Sequence, residues 1–375
     1  MITEYLKKIF KKISYSLFLK IYGVIENSIT KDKDDRIKVE IANIEKKNKY
    51  KIYTVTSGRL YTDRIQDTAI ILDNKIVEGP SFQLRKGSGN YIFNSSIKDN
   101  IVFSKGTPRK LRNLNGSVLS LLTGGAGNNN YWHWLFDVLP RFGLCEKSIN
   151  LNQIDYFLLP SLIKKFQRET LDCLNIPAHK RISSEKFRHI KARELIITDH
   201  PVMISGNATK DIQNMPDWIN LWLRKNFVNS SIKNNKQVKN KIYIDRAETN
   251  TKRLPQRAII NEEEVKNYLI KNNFIIVKLH EINFKEQVTL FHNAECVIGL
   301  HGGGFGNIVF CEPKTKIIEL KNKSSANAIK NLAEKNNLNY MSIEEEAKKI
   351  YDFEFPNQQG SIHIPINKLI KIIEN

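Results

Sequence analysis

The first 25 residues place Ile2, Leu6, Ile9, Ile13, Leu17 and Ile21 three or four apart, with Lys7, Lys8, Lys11 and Lys12 between them, the spacing of one apolar face on a helix. Lys20 interrupts the apolar run and no small-residue cleavage site follows, so the segment does not read as a secretory signal. A bilayer-spanning run of about 20 apolar residues is also missing, here and later in the chain. Two readings stand: a helix lying on an anionic membrane surface, or a first helix packed on its own domain, with the second favoured. Between Ile52 and Ile92 short β-rich runs broken by Gly, Asn, Asp and Pro predict a small antiparallel elaboration.

From Ser117 onward strands alternate with helices. Ser117–Thr123 reads as a buried strand, GGAGNNN as a turn-rich loop, and YWHWLFDVLPRFGLCEK as a helix that Pro140 must bend, end or restart. Then come IDYFLLP as a strand, SLIKKFQRETLDCL as an amphipathic helix and ELIITD as a strand. A helix around Trp218–Phe227 and the polar stretch Asn229–Lys241 precede a second set. In it IYIDR, FIIVKL, CVIGL and TKIIEL read as strands; NEEEVKNYLIKNN, NFKEQVTLFHNA and SSANAIKNLAEKNN read as helices. Asn261 stands as an N-cap before three glutamates that suit the helix dipole. Such alternation predicts βαβ units and parallel sheets in two α/β halves, with a ligand cleft at the carboxyl ends of the strands. The expected divisions are 1–30 (helix), 31–228 (first α/β domain), 229–241 (linker), 242–345 (second α/β domain) and 346–375 (tail).

Length and composition narrow the class of function. A chain of 375 residues, 41% hydrophobic and 26% charged, is globular and long enough for two domains. Lys and Arg number 59 against 39 Asp and Glu, and the net charge of +20 favours polyanions, phosphorylated ligands or anionic lipid. No basic repeat, RNP-type aromatic motif or zinc finger accompanies it, so nucleic acid is not expected as a partner. Cys145, Cys173, Cys296 and Cys311 lie far apart, which indicates neither a disulfide framework nor structural zinc, and a reducing compartment.

Four features could carry chemistry. In CVIGLHGGGFGN an apolar strand runs into His301, Gly302, Gly303 and Gly304, where a backbone can approach a diphosphate and the N–H groups of a following helix can hold it; the bland alternative is a tight turn needing positive φ. Glu319, near the end of the next strand, stands where a carboxylate could hold ribose hydroxyls. Arg246, Arg253 and Arg257 lie in a loop leaving a strand, placed to fork onto phosphate oxygens or simply to face water. Finally, His133 and Asp137 are four apart, so a helix sets them on one face, where the carboxylate would orient the imidazole as a general base. By itself such a pair between two tryptophans is more often a satisfied core histidine.

The order of these motifs changes that balance. NNYWHWLFDVLPR, the arginine segment about a hundred residues later, FKEQVTLFHNAECVIGLHGGGFGN and IIEL together resemble glycosyltransferase family 61, over about Leu119 to Leu320. The resemblance implies a GT-B-like fold: two Rossmann-like domains with a facing cleft, the acceptor on the first and the nucleotide sugar held mainly by the second. It implies donor contacts from Arg246, Arg253, His301, Gly302, Gly303, Gly304, Asn307 and Glu319, with Gly303 where alanine is usual and the usual arginine pair thinned to Arg257 beside Ala258. It further implies an inverting, metal-independent transfer from a nucleotide-sugar donor to a glycan or lipid-linked glycan acceptor in bacterial capsular or lipopolysaccharide assembly. His133 would be the base and Asp137 its orienter, with no cofactor, in the cytoplasm or at the inner face of its membrane. The absence of a D-x-D motif in strand context agrees with metal independence. The rival reading is a non-catalytic nucleotide- or glycan-binding scaffold of the same fold.

Overall fold

The computed structural model describes residues 2–64, 66–87, 91–93, 96–122, 129–231, 239–246, 257–347 and 360–374. Its contacts divide the chain into two compact units, Met1–Ile212 and Gln213–Asn375.

The first unit is built on one twelve-stranded sheet. Its parallel part holds strands Arg112–Ser120, Tyr156–Leu159, Arg181–Ser183 and His189–Thr198. The last of these lies beside the first, and the other two follow on the far side. Strand order therefore reverses between Arg112–Ser120 and His189–Thr198, the kind of place where open α/β sheets leave a crevice. The β-rich N-terminal region is larger than the small elaboration expected, and it is continuous with this sheet. Tyr50–Thr56 and Arg59–Arg64 both pair antiparallel with His189–Thr198, one along each half of that strand. The core between them is Val55, Leu60, Ile70, Val118, Leu158, Ile190 and Leu195, all at 0% exposure.

The second unit carries a five-stranded, all-parallel sheet. In chain order the strands are Asn240–Ile244, Phe274–Val277, Ala294–Leu300, Lys316–Asn322 and Asn339–Glu345, and the first lies between the second and third. This is a doubly wound order, with its reversal between Asn240–Ile244 and Ala294–Leu300. Each strand and helix read from the sequence in this half is present within a few residues. Asn339–Glu345 was not foreseen, because at this edge only Ile343 is buried and no apolar run marks it.

Two expected boundaries move. Helix Asp217–Ser231 belongs to the second unit, since Phe227 packs edge-on against Phe284 and Phe310; the division therefore precedes the helix. Most of the expected linker lies outside the described residues. The tail is not an appendage either. Ile362, Ile364 and Leu369 enter the core with Val265 and Leu269, and helix Ile366–Glu374 completes it. Asn261 explains part of this: its side chain leaves the helix N-terminus uncapped and instead accepts from the Ile364 N–H and donates to the Ile364 carbonyl.

Candidate active site

Asn130 starts the first site by accepting the Trp132 N–H, and one helical turn, Tyr131–His133, follows. The chain then widens into a π-helix over Trp134–Val138, in which the Leu139 N–H reaches back to the Trp134 carbonyl. Proline explains the widening: Pro140 has no N–H to give the preceding turn, and its ring needs room there. A new helix, Pro140–Cys145, begins at the proline, so of the three outcomes open to it the chain restarts. Trp134, Leu135, Phe136 and Leu139 are fully buried and fix the widened turn.

His133 and Asp137 stay on one face of this segment, with His133 Nδ1 at 2.6 Å from Asp137 Oδ2. The imidazole keeps 13% of its surface exposed and the carboxylate 3%. Burial opposes a charge on His133, but the Asp137 charge and hydrogen bond outweigh it and raise the pKa above the ordinary 6.5. Burial also pushes Asp137 upward, yet His133 first, then His200 and Arg141, hold it below the usual carboxylate range.

Two of those neighbours escaped the sequence reading. Arg141, buried and one helical turn beyond Asp137, donates to the Asp137 carbonyl and to both oxygens of Thr198. His200 lies two residues beyond the strand His189–Thr198. Its Nδ1 accepts the N–H groups of Val202 and Met203, which leaves the proton on Nε2, 4.0 Å from Asp137 Oδ2. Burial drops its pKa to about 3, so it is a neutral donor and no competing base. Arg141 was visible as an i+4 partner of Asp137, and His200 as a polar residue closing a buried strand. The whole group lies at the strand-order reversal of the first unit.

The second unit assembles the other candidates at its own reversal. Arg246 follows strand Asn240–Ile244 and His301 follows strand Ala294–Leu300. Arg246 Nη1 and Arg257 Nη1 both donate to the His301 carbonyl, Arg257 at 2.9 Å. Arg257 thus takes a place that the sequence left open, while Arg253 and most of the arginine loop lie outside the described residues. Burial, and then the Arg246 charge beside it, lower the Arg257 pKa to about 10. Its Nε has no partner among the described residues.

The glycines serve close approach and not a left-handed turn. None of the positive-φ glycines lies in this loop. A Cβ on Gly302 would come within 2.5 Å of Arg246 Nη1, and one on Gly304 within 3.0 Å of Leu279 Cδ1. The segment Gly303–Phe310 is a 3₁₀ helix, with Phe305, Ile308, Val309 and Phe310 turned into the core. Asn307 is fully buried and donates to Gln287 Oε1, so it ties this helix to helix Phe284–His292 and does not face a ligand.

Glu319 also differs from its expected role. The strand continues to Asn322, so Glu319 lies inside it at 0% exposure. One carboxylate oxygen bonds His301 Nδ1 and the other accepts the Tyr340 hydroxyl. Each oxygen already accepts one bond and the carboxylate has no exposed surface, so here Glu319 orients His301. Burial, reinforced by Arg257 and Arg246, depresses the His301 pKa despite Glu319, and the ring is neutral near pH 7.

The family model Glycosyltransferase 61 matches residues 131–318, from the helical turn that carries His133 to the start of strand Lys316–Asn322. The EGF domain-specific O-linked N-acetylglucosamine transferase of Gallus gallus is 28% identical over 109 residues, a match covering 28% of this chain and 19% of that relative. With half of its length matched, including the His133–Asp137 pair and His301, the chain belongs to glycosyltransferase family 61.

Proposed function

We propose that the enzyme transfers a sugar, with inversion and without a metal ion, from a nucleotide-sugar donor to a hydroxyl of a glycan or lipid-linked glycan. The setting we propose is surface-polysaccharide assembly in the bacterial cytoplasm, with a GT-B arrangement of the two units. The observation that carries the reading is the convergence of two half-buried guanidinium groups on the His301 carbonyl at the carboxyl ends of parallel strands. Two cations so close are relieved by an anion, and a leaving diphosphate is one.

In this reading His133 donates Nδ1–H to Asp137 and presents Nε2 to the acceptor. The acceptor oxygen forms a bond to the anomeric carbon as the bond from that carbon to the diphosphate oxygen breaks. The acceptor proton passes to Nε2, the electron pair leaves with the diphosphate, and Asp137 stabilises the imidazolium. Arg246 and Arg257 meet the charge that develops on the diphosphate. His301, neutral and held by Glu319, offers Nε2 as an acceptor toward the donor; an approaching phosphate would favour its protonation.

A panel of nucleotide sugars, including nucleotide-linked N-acetylglucosamine on the name of the chick relative, tests the proposal. Each is incubated with and without a chelator, nucleoside diphosphate release is followed, and the product anomer is read by NMR. One donor should be consumed equally in both conditions with inverted configuration. Retention, or loss of turnover with the chelator, would overturn the mechanism.

A further inference from the structure

Helix Ile2–Tyr22 carries apolar side chains on two opposite faces, and the protein uses only one of them. Phe18, at 1% exposure, packs among Tyr61, Ala69, Ile71, Ile76 and Val102, with Tyr15, Leu19 and Tyr22 around it. A Cβ on Gly106 would meet the Phe18 ring at 2.8 Å, so glycine is required beneath it. The hydroxyls of Ser14, Tyr15 and Tyr22 donate to the carbonyls of Gly106, Val102 and Arg109. These contacts fix the rotation of the helix about its axis.

At about 100° per residue, that rotation turns the stripe read from the sequence outward. Leu6, Ile9, Ile13, Leu17 and Ile21 are all exposed, Leu6 at 57% and Ile21 at 58%, and Phe10, at 69%, widens the stripe. The helix does pack on its own domain, but through a different face, and the stripe read from the sequence is left exposed. The stripe runs roughly 22 Å along the helix at 1.5 Å per residue. Lys7 and Lys12 flank it, Lys8 and Lys11 lie behind it, and Lys20 interrupts it near its end with a stem long enough to lift its ammonium aside; all five are exposed.

We propose that this face docks on an anionic lipid bilayer, with the helix in the plane of the interface. Charge complementarity selects the occupant. Five lysines face a single acid, Glu4, within the helix, so a second copy of this face would bring like charges together. A bilayer with anionic headgroups receives the apolar stripe at the level of the acyl chains and the lysines at the phosphates. Among the described residues no helix is long and apolar enough to cross a membrane, and this one is tied to the sheet along its second half. The inference is independent of which sugar is moved.

The test uses the full chain and vesicles of phosphatidylcholine with or without phosphatidylglycerol. Sedimentation with the anionic vesicles should weaken as salt rises, and weaken about five-fold for each of the flanking Lys7 and Lys12 changed to Gln, and less for Lys8 and Lys11 on the far face. Ile9→Asp with Ile13→Asp should abolish it while leaving the unfolding temperature and turnover on a soluble acceptor unchanged, because both side chains face water. Failure of the intact chain to sediment at low salt, or equal sedimentation of the double variant, would overturn the proposal. So would a self-associated chain that the same two substitutions disperse and that ignores vesicles.

Discussion

His133 and His301 each hold Nδ1 against a buried carboxylate, and each sits where strand order reverses in its sheet. Their pKa values nevertheless move in opposite directions, His133 upward and His301 downward. Burial acts alike on both, so the difference comes from the surroundings. Around His133 the nearest cation, Arg141, lies behind Asp137, and the second histidine there is neutral. Around His301 two arginines press on its own carbonyl. A histidine–carboxylate pair thus has its histidine pKa raised in one unit and lowered in the other, and the two arginines beside His301 contribute to the difference.

The largest effect should come from removing one member of this comparison outright. His133→Ala is expected to lower kcat by about 10²–10⁴-fold with little change in donor KM, as loss of a general base does. Turnover within a few-fold of normal in steady-state assays would make His133 structural. The next test attacks the other unit. Gly302→Ala places a Cβ where Arg246 Nη1 lies, and the flexible guanidinium can move aside without unfolding the chain. Nucleoside diphosphate affinity, measured calorimetrically, should then fall about 10- to 100-fold, the range for a lost charge-assisted hydrogen bond, while the pH dependence set by His133 stays.

Asp137→Asn sharpens the comparison through pH. Because Asp137 raises the His133 pKa, the rising limb of kcat/KM should lie above pH 6.5 in the native enzyme and shift to lower pH in the variant, with a lower plateau. A limb that stays in place would remove Asp137 from the base. The smallest effect belongs to Tyr340→Phe, which deletes one hydrogen bond to Glu319. A loss of a few-fold in diphosphate affinity, with kcat for bound donor retained, fits a net contribution of about 0.5–1.5 kcal/mol. Unchanged affinity would show that Glu319 holds His301 without Tyr340.

The two units also differ in how far they could be read in advance. In the second, buried parallel strands such as CVIGL and IIEL are continuous apolar runs, and these marked its first four strands. In the first, the parallel strands lie in a sheet whose antiparallel part pairs with His189–Thr198 from residues 50–64, a long-range register that no local pattern records. At the sites, spacing found His133 with Asp137 and the motif found His301. Arg141 and His200 were missed because their roles depend on burial around Asp137, and Tyr340 because its edge strand is mostly polar. Glu319 and Asn307, expected as ligand contacts, both face inward here, and a sequence does not show which way a strand or helix residue turns.

The opposed titration of the two histidines is tested most directly by NMR on histidine-labelled protein, with His133→Ala and His301→Ala used to assign the two rings. Their imidazole shifts are followed over pH without ligand. The account predicts a midpoint above 6.5 for His133 and below 6.5 for His301. Coincident midpoints, or the reverse order, would contradict it.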